Sequence, residues 1–567
     1  MTMATSPAER LAAFLIAPDA VARPAADHMP DPEAFREVVE RHKVPLREAI
    51  AVNGLADDPL AASECVQHAL REDEDRHRRN IELFETFRHR FDEADIPHVL
   101  VKGVWGFPYR SENIDLLIPV SAVRRADRIL TQLGFIYNRF RPDRFKRLHT
   151  LISGSRWVGT LHLHKAVGWY SLFIEPDAIF RDAVDGGEPG VRLPRREVSI
   201  AIIGVHALYE DASIRLIELH KIHHLMTSGP VDWDWLWDFA VRRGFASGLA
   251  LALLILDRQF AGLAGRPLFD DAARKRMESY LTRLDGTRRH WRRHIAGRDV
   301  PAYYTLSKYF VRRCLFVQVK RTRLMSLRRK LDTAAEILRA GVLHQVTRWF
   351  PQPAYLTAVC GPDGCGKTTQ IERVARALEI FEVRSVRSWI RIGDSPLLAP
   401  LKRPLRRRVR AEKSVDPKTS EQGVFRSPLV RKVWPVVAIA DYLLRQYAAF
   451  LAGALRERMV IADRYHVDAL VDLALRCGPE ILEKHWVAAL MRLLPPARPA
   501  FVLKVSDETM RRRRREEYIE GLSDRVNGYY DRAARIMGAV VLSGEGDPEA
   551  IAETITKEVL RRFFARV

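Results

Sequence analysis

The sequence predicts an α/β protein in two parts: a C-terminal domain on a parallel sheet, and an N-terminal α+β domain with large helical parts. Three observations carry this. The chain has 567 residues, too many for one core at roughly 100–200 residues per domain. From residue 355 onward short apolar runs alternate with helical stretches, the pattern of a parallel sheet covered on both faces. Between the first of those runs and a periodic helix lies a glycine-rich loop ending in lysine and threonine.

Taken in order, residues 1–95 read as helical, most clearly 72–94, where Ile81, Phe84, Phe87 and Phe91 recur at spacings of three and four. Pro97 ends that pattern. Residues 98–101 read as a short buried strand running into Lys102-Gly103, and 114–118 as a second strand. An amphipathic helix over 122–133 is closed by Gly134, a good C-terminal stop. Strand-like runs continue to about 167, and 200–260 is helical again. Its apolar run 245–256 is too short to span a bilayer and reads as a buried helix. The run 11–17, preceded by Glu9 and broken by Pro18, does not read as a signal peptide. No transmembrane segment is expected.

Composition narrows the class. With 47% hydrophobic and 29% charged residues the chain is not a disordered one. Five scattered cysteines (Cys65, Cys314, Cys360, Cys365, Cys477) make neither a disulfide framework nor a zinc ribbon, so reduced thiols and a cytoplasmic address are expected. Lys and Arg number 92 against 71 Asp and Glu, a net charge of +21, which leaves nucleic acid, an anionic membrane surface or a phosphate-rich small molecule as partners. The excess is local. Eight Lys/Arg and no acid lie between 312 and 330, seven Lys/Arg with only Glu412 between 402 and 413, and five arginines at 511–515. The first of these falls in a basic helical connector, 271–351, closed by Pro351 and Pro353. It separates a domain at 1–270 from one at 352–567.

In the C-terminal domain, strands are expected at 355–360, 383–389, 459–462, 500–505 and 540–542. The loop after the first, Gly361-Pro-Asp363-Gly364-Cys365-Gly366-Lys367-Thr368, fits G-x-x-x-x-G-K-[ST]. Such a loop turns backbone N–H groups around phosphate oxygens. Its lysine reaches the β- and γ-phosphates, its threonine hydroxyl binds Mg²⁺, and the next helix aims its positive end at the anion. Asp463, ending the apolar run 460–462, stands where such proteins place a carboxylate that orders Mg²⁺, and Arg464 beside it can hold a second phosphate in a bidentate grip. The arginines at 511–515, alone, would read as a solvated helix face. After a strand and the turn Ser506-Asp507 they are candidates for neutralising charge that builds on a transferring phosphate.

These pieces together resemble the thymidylate kinase branch of the P-loop nucleoside monophosphate kinases. The likeness rests on Gly361 through Thr369, on Asp463-Arg464-Tyr465, on the helix carrying Asp441 and on the arginines from Arg511. Asp524-Arg525 through Tyr529-Tyr530 extend it. It implies ATP and Mg²⁺ as cofactors, with Gly361, Asp363, Gly364, Gly366, Lys367, Thr368 and Thr369 at the nucleotide and Thr368 and Asp463 at the metal. It implies catalytic roles for Lys367, Asp463, Arg464 and the lid arginines Arg511, Arg512 and Arg515. Arg464 would hold the acceptor phosphate and Asp363 lie near the acceptor sugar. Gly364 stands where some members carry a loop arginine, so the lid-supplied arrangement is implied. The family's Arg-Glu-Pro-Gly-Gly-Thr after the second strand is replaced by residues 388–394, which leaves the acceptor open. Trp389 there reads as core or as a base-stacking ring.

The N-terminal half resembles an uncharacterised nucleotidyltransferase family of the polymerase-β superfamily, through His98 to Gly103, Arg110, Asn113-Ile114-Asp115, Leu161 through His164 and Asp232 through Trp235. That chemistry needs two carboxylates two residues apart on one strand and a third from a neighbour, binding Mg²⁺. Here the positions hold Asn113, Asp115 and His162, so with Lys102 and Gly103 the site is read as degenerate. His220, His223 and His224 share a helical face and read as packing histidines. The expected function is transfer of the ATP γ-phosphate to a nucleotide or other phosphate-bearing small molecule, with nucleic acid and a homodimer left open as partners. The alternatives are a catalytically inactive ATP-binding scaffold and a polynucleotide end-processing kinase.

Overall fold

The computed structural model describes all residues except 1–5, 26–28, 104–112, 139–143, 170, 187–189, 324–325, 347–354, 394–427, 457–458, 514–521 and 567. Arg110, Asp394, Arg515 and the basic run 402–413 lie outside the described residues. The chain is a mixed helix–strand protein that divides into two compact units, Met1–Leu151 with Val158–Leu343, and Ile152–Trp157 with His344–Val567.

The first unit is mostly helical. Pro7–Ile16 takes up the apolar N-terminal run, started by a capping box between Ser6 and Glu9 and buried along most of its length. The phenylalanine-bearing helix runs over Glu64–Glu93, with Phe84, Phe87 and Phe91 buried. A five-stranded sheet comprises β1 (Val99–Leu100), β2 (Asn113–Leu117), β3 (Ile136–Asn138), β4 (Lys146–Ser153) and β5 (Arg156–His164), in the order β1-β2-β5-β4-β3. β2 and β5 run parallel, with Asp115 opposite His162 and Leu117 opposite His164. The amphipathic helix is Val123–Gln132, and Gly134 follows it at φ 89°.

The stretch 200–260 is not one helix. It breaks into Arg196–Val205, a π-helical turn His206–Glu210, a short strand Ser213–Ile214, and helices Leu216–Thr227, Trp233–Arg243 and Ala246–Ala264. Breaks fall where the backbone goes left-handed, at Ala212 (φ 52°) and Gly244 (φ 79°). Ala246–Ala264 is the centre of the core, with Leu249 through Leu256 all buried. The helix Lys308–Arg321, part of the basic stretch, buries Val311, Cys314, Leu315 and Val319 in that same core while Lys320 and Phe316 stay exposed.

The second unit is built on five parallel strands: β6 (Tyr355–Cys360), β7 (Ser385–Trp389), β8 (Met459–Asp463), β9 (Ala500–Lys504) and β10 (Val540–Ser543), in the order β7-β8-β6-β9-β10. β6 is central and wholly buried, as a strand flanked on both faces must be. Helix Lys367–Ile380 leaves the loop after it. Because all strands run one way, the ends of β6, β7 and β8 open together, at the crevice where such sheets take ligands.

Among the described residues, two helices are long and apolar enough to cross a bilayer by length and composition. Ala246–Ala264 is 78% buried inside the first unit, as a core helix is. Val433–Gly453 is 28% buried: Trp434, Ala438, Ile439 and Tyr442 face the second core, while Val433, Val436, Leu444, Tyr447 and Leu451 are exposed.

Candidate active site

The loop after β6 folds as its glycines require. Gly361, Gly364 and Gly366 have φ of 143°, 95° and 97°, values that side-chain-bearing residues rarely adopt. At Gly361 a Cβ would run into the Leu503 carbonyl oxygen, so the loop is pressed against β9. Gly366 is the N-terminal cap of Lys367–Ile380, which brings Thr368 and Thr369 to the rim of a cavity of about 520 Å³. Lys367 is buried, and its amine donates to the carbonyls of Gly361 (2.7 Å) and Pro362 (2.9 Å).

The same cavity receives residues from three other strand ends. Asp463, at the end of β8, is buried and pairs with Arg387 on β7. Arg387 also reaches the Thr368 hydroxyl (3.4 Å). Arg464 takes a left-handed backbone (φ 72°) and pairs with Asp363 of the loop. A side-chain-bearing residue in that conformation is strained, and the pairing helps hold it there. Trp389 is 58% exposed and lines the cavity, so its ring is not core. Of the described arginines on helix Asp507–Arg513, Arg513 reaches the site, near the carbonyls of Gly364 and Gly544 (3.4 Å each). Arg511 and Arg512 are exposed and do not line the cavity, and Arg515 is outside the described residues.

Behind the loop stands Asp468, which sequence reasoning did not single out. Its carboxylate accepts from the Gly361 amide (3.2 Å), the Tyr465 amide (3.2 Å) and the Tyr530 hydroxyl (2.8 Å). Burial raises its pKa. It thereby ties the loop's first glycine to the helix after β8. Its position five residues after Asp463 on a predicted helix was the available signal. Burial likewise raises the thiols of Cys360 and Cys365, the latter to about 11, so both stay protonated and serve as packing.

Thr368 and Asp463 offer hydroxyl and carboxylate oxygens, the hard donors Mg²⁺ prefers. With the inward-turned loop and Lys367 they fit a nucleoside triphosphate with its metal, once Arg387 moves aside.

The first unit has its own polar cavity, of about 150 Å³, lined by Lys102, Asn113, Asp115, His162, Glu210 and Lys221 among others. Asp115 Oδ1 lies 3.0 Å from Lys102 Nζ, 3.1 Å from His162 Nδ1 and 2.8 Å from His164 Nε2. Burial would raise the Asp115 carboxyl, but Lys102 and His162 hold it well below the usual range. Lys102 sits there because Val101 pairs with Asp115 through its backbone (3.1 Å), and Gly103 follows, buried. His220, His223 and His224 lie on Leu216–Thr227, where His223 stacks on Phe260. They form no metal-binding group among the described residues.

No family model matches this chain and no curated protein matches it. Among solved structures it is similar to a thymidylate kinase from Ehrlichia chaffeensis, at 16% identity over 37% of this chain and 100% of that one, with a TM-score of 0.24.

Proposed function

We propose that residues 344–567 form an ATP-dependent phosphotransferase that moves the γ-phosphate of ATP onto a phosphate-bearing small molecule, a nucleotide or sugar phosphate. The observation that supports this is the convergence of the loop residues 363–367, Thr368, Asp463 and Arg464 on one cavity. Loop amides and the Lys367 amine bind the β- and γ-phosphates. Thr368 and Asp463 hold Mg²⁺, which when bound neutralises charge on the phosphate oxygens. Arg464 grips the acceptor phosphate, and Arg513 supplies the further cation. An oxygen of the acceptor phosphate attacks the γ-phosphorus and the bond to the β–γ bridging oxygen breaks, releasing ADP. A phosphate monoester has its second pKa at about 6, so the acceptor is already ionised at neutral pH and needs no general base. The first unit is read as nucleotidyltransferase-like without that activity, since Asn113, Asp115 and His162 supply one carboxylate where three are required. Five buried cysteines, none of them in a disulfide, fit a reducing compartment such as the cytoplasm.

The test is transfer from γ-labelled ATP to nucleoside monophosphates, sugar phosphates and oligonucleotides. Lys367→Ala should lower transfer by about 10²-fold or more while leaving the far-UV circular dichroism unchanged. Wild-type transfer in that variant would sink the mechanism. Nucleotide binding with no transfer to any acceptor would point instead to an ATP-binding scaffold. Transfer only to oligonucleotides, with steep salt dependence, would point to end processing.

A further inference from the structure

The polar cluster of the first unit has a use that a degenerate carboxylate site does not explain. β2 and β5 are parallel neighbours in a register that sets Asp115 opposite His162. Side chains alternate along a strand, so His164, two residues on, projects from the same face as His162. Asp115 Oδ1 is therefore met by His162 Nδ1 at 3.1 Å and His164 Nε2 at 2.8 Å. The three donor atoms lie within 4.8 Å of one another. Ligands held about 2.1 Å from one ion in tetrahedral geometry stand roughly 3.4 Å apart, so the 2.8 and 3.1 Å from Asp115 to the two imidazoles need only a small adjustment to admit an ion.

Surroundings favour a cation as well. Asp115 and His164 are buried and His162 nearly so, while the 150 Å³ cavity that Asp115 and His162 line leaves room for water as further ligands. A cation is already drawn to the spot, since Lys102 Nζ stands 3.0 Å from Asp115 Oδ1. Two imidazoles and one carboxylate form a set suited to zinc, cobalt, iron or manganese rather than to magnesium or calcium, which take oxygen. The side chain two residues before Asp115 is the neutral amide of Asn113, so a second ion is not provided for.

We propose that Asp115, His162 and His164 bind one divalent transition-metal ion of the zinc class, with the Lys102 ammonium giving up its place beside Asp115 to the ion. The site is distinct from the nucleotide cavity and does not rest on the phosphotransferase reading.

The experiment uses the full-length, tag-free chain without nucleotide. Co²⁺ titration should give about one equivalent bound, with visible absorption from nitrogen and oxygen ligands that a tenfold excess of Mg²⁺ does not remove. Dialysis against Zn²⁺ followed by elemental analysis should return the same stoichiometry. H162Q and H164Q should each lose the absorption, and K102M, which removes the competing cation, should tighten binding about tenfold or more. No binding by the wild-type chain would overturn the proposal, even if K102M bound the ion, since Lys102 would then be the site's permanent cation. Unchanged binding in both histidine variants would overturn it too, and so would unchanged affinity in K102M. That last arm decides the matter if the histidine variants do not fold.

Discussion

Arg387 holds the two groups proposed for the metal of the second unit. Its guanidinium pairs with Asp463 and reaches the Thr368 hydroxyl, so Mg²⁺ and this arginine compete for the same oxygens. Replacing Arg387 with methionine keeps the stem and removes the competitor. A charge-assisted hydrogen bond contributes about 1.5–3 kcal/mol, but Arg387 is 41% exposed, so solvent screening reduces that figure. Arg387→Met is therefore expected to lower the Mg²⁺ concentration needed for nucleotide binding about three- to tenfold. The measurement is titration of Mg²⁺ against a fluorescent ATP analogue. An unchanged or raised requirement would mean that Arg387 contacts phosphate directly and does not fill the metal's place.

At the scale of elements, the helical stretches Ala246–Ala264 and Val433–Gly453 have similar mean hydropathy, 1.3 and 1.2, and opposite environments. Leu254 of the first is fully buried. Leu254→Ala should cost about 2–5 kcal/mol in urea unfolding, from lost transfer and the cavity left behind. Leu444 of the second is 65% exposed, and Leu444→Ala should cost less than about 0.5 kcal/mol. A large cost at Leu444 would mean that its stripe is covered in solution. Sequence patterns carry such elements unequally. The strands before Gly361 and before Asp463 were legible because a fully buried parallel strand is an unbroken apolar run and the loop after it has a fixed glycine spacing. The breaks inside 200–260 were not, because Ala212 takes its left-handed turn under tertiary constraint. The site was legible where its residues are neighbours in sequence, as from Gly361 to Thr369. It was hidden where strand register makes the contact: Arg387 meets Asp463 across β7 and β8, and His164 meets Asp115 across β5 and β2. Among the arginines at 511–515, composition marked the run, but helical phase chose Arg513, and exposure turned Trp389 from core to cavity wall.

Across the whole molecule the two units answer to different variables. Burial pushes His149 and His220 of the first unit down to about 3, and His224 and His290 to about 4. These rings are neutral in the fold yet charge in the unfolded chain near the ordinary value of 6.5. Between pH 6.5 and 4 the unfolded state thus binds more protons, and stability falls as pH falls. Carboxyls raised by burial act in the opposite sense, because the fold then takes the proton first and gains as pH drops: Glu218 and Asp257 in the first unit, Asp468 in the second. In the second unit burial lowers His466 to about 4, one such ring against those four in the first, and Asp468 acts against it. Each unit has its own core and is expected to unfold as its own cooperative transition. Scanning calorimetry of the full chain from pH 7.5 to 5 should move the first unit's transition down much more than the second's. Mg²⁺ and ATP at about 100 times the dissociation constant should stabilise the second unit by about 2.7 kcal/mol and leave the first where it was. A larger acid shift in the transition that ATP raises would contradict this division, because the buried histidines would then not govern the first unit's stability.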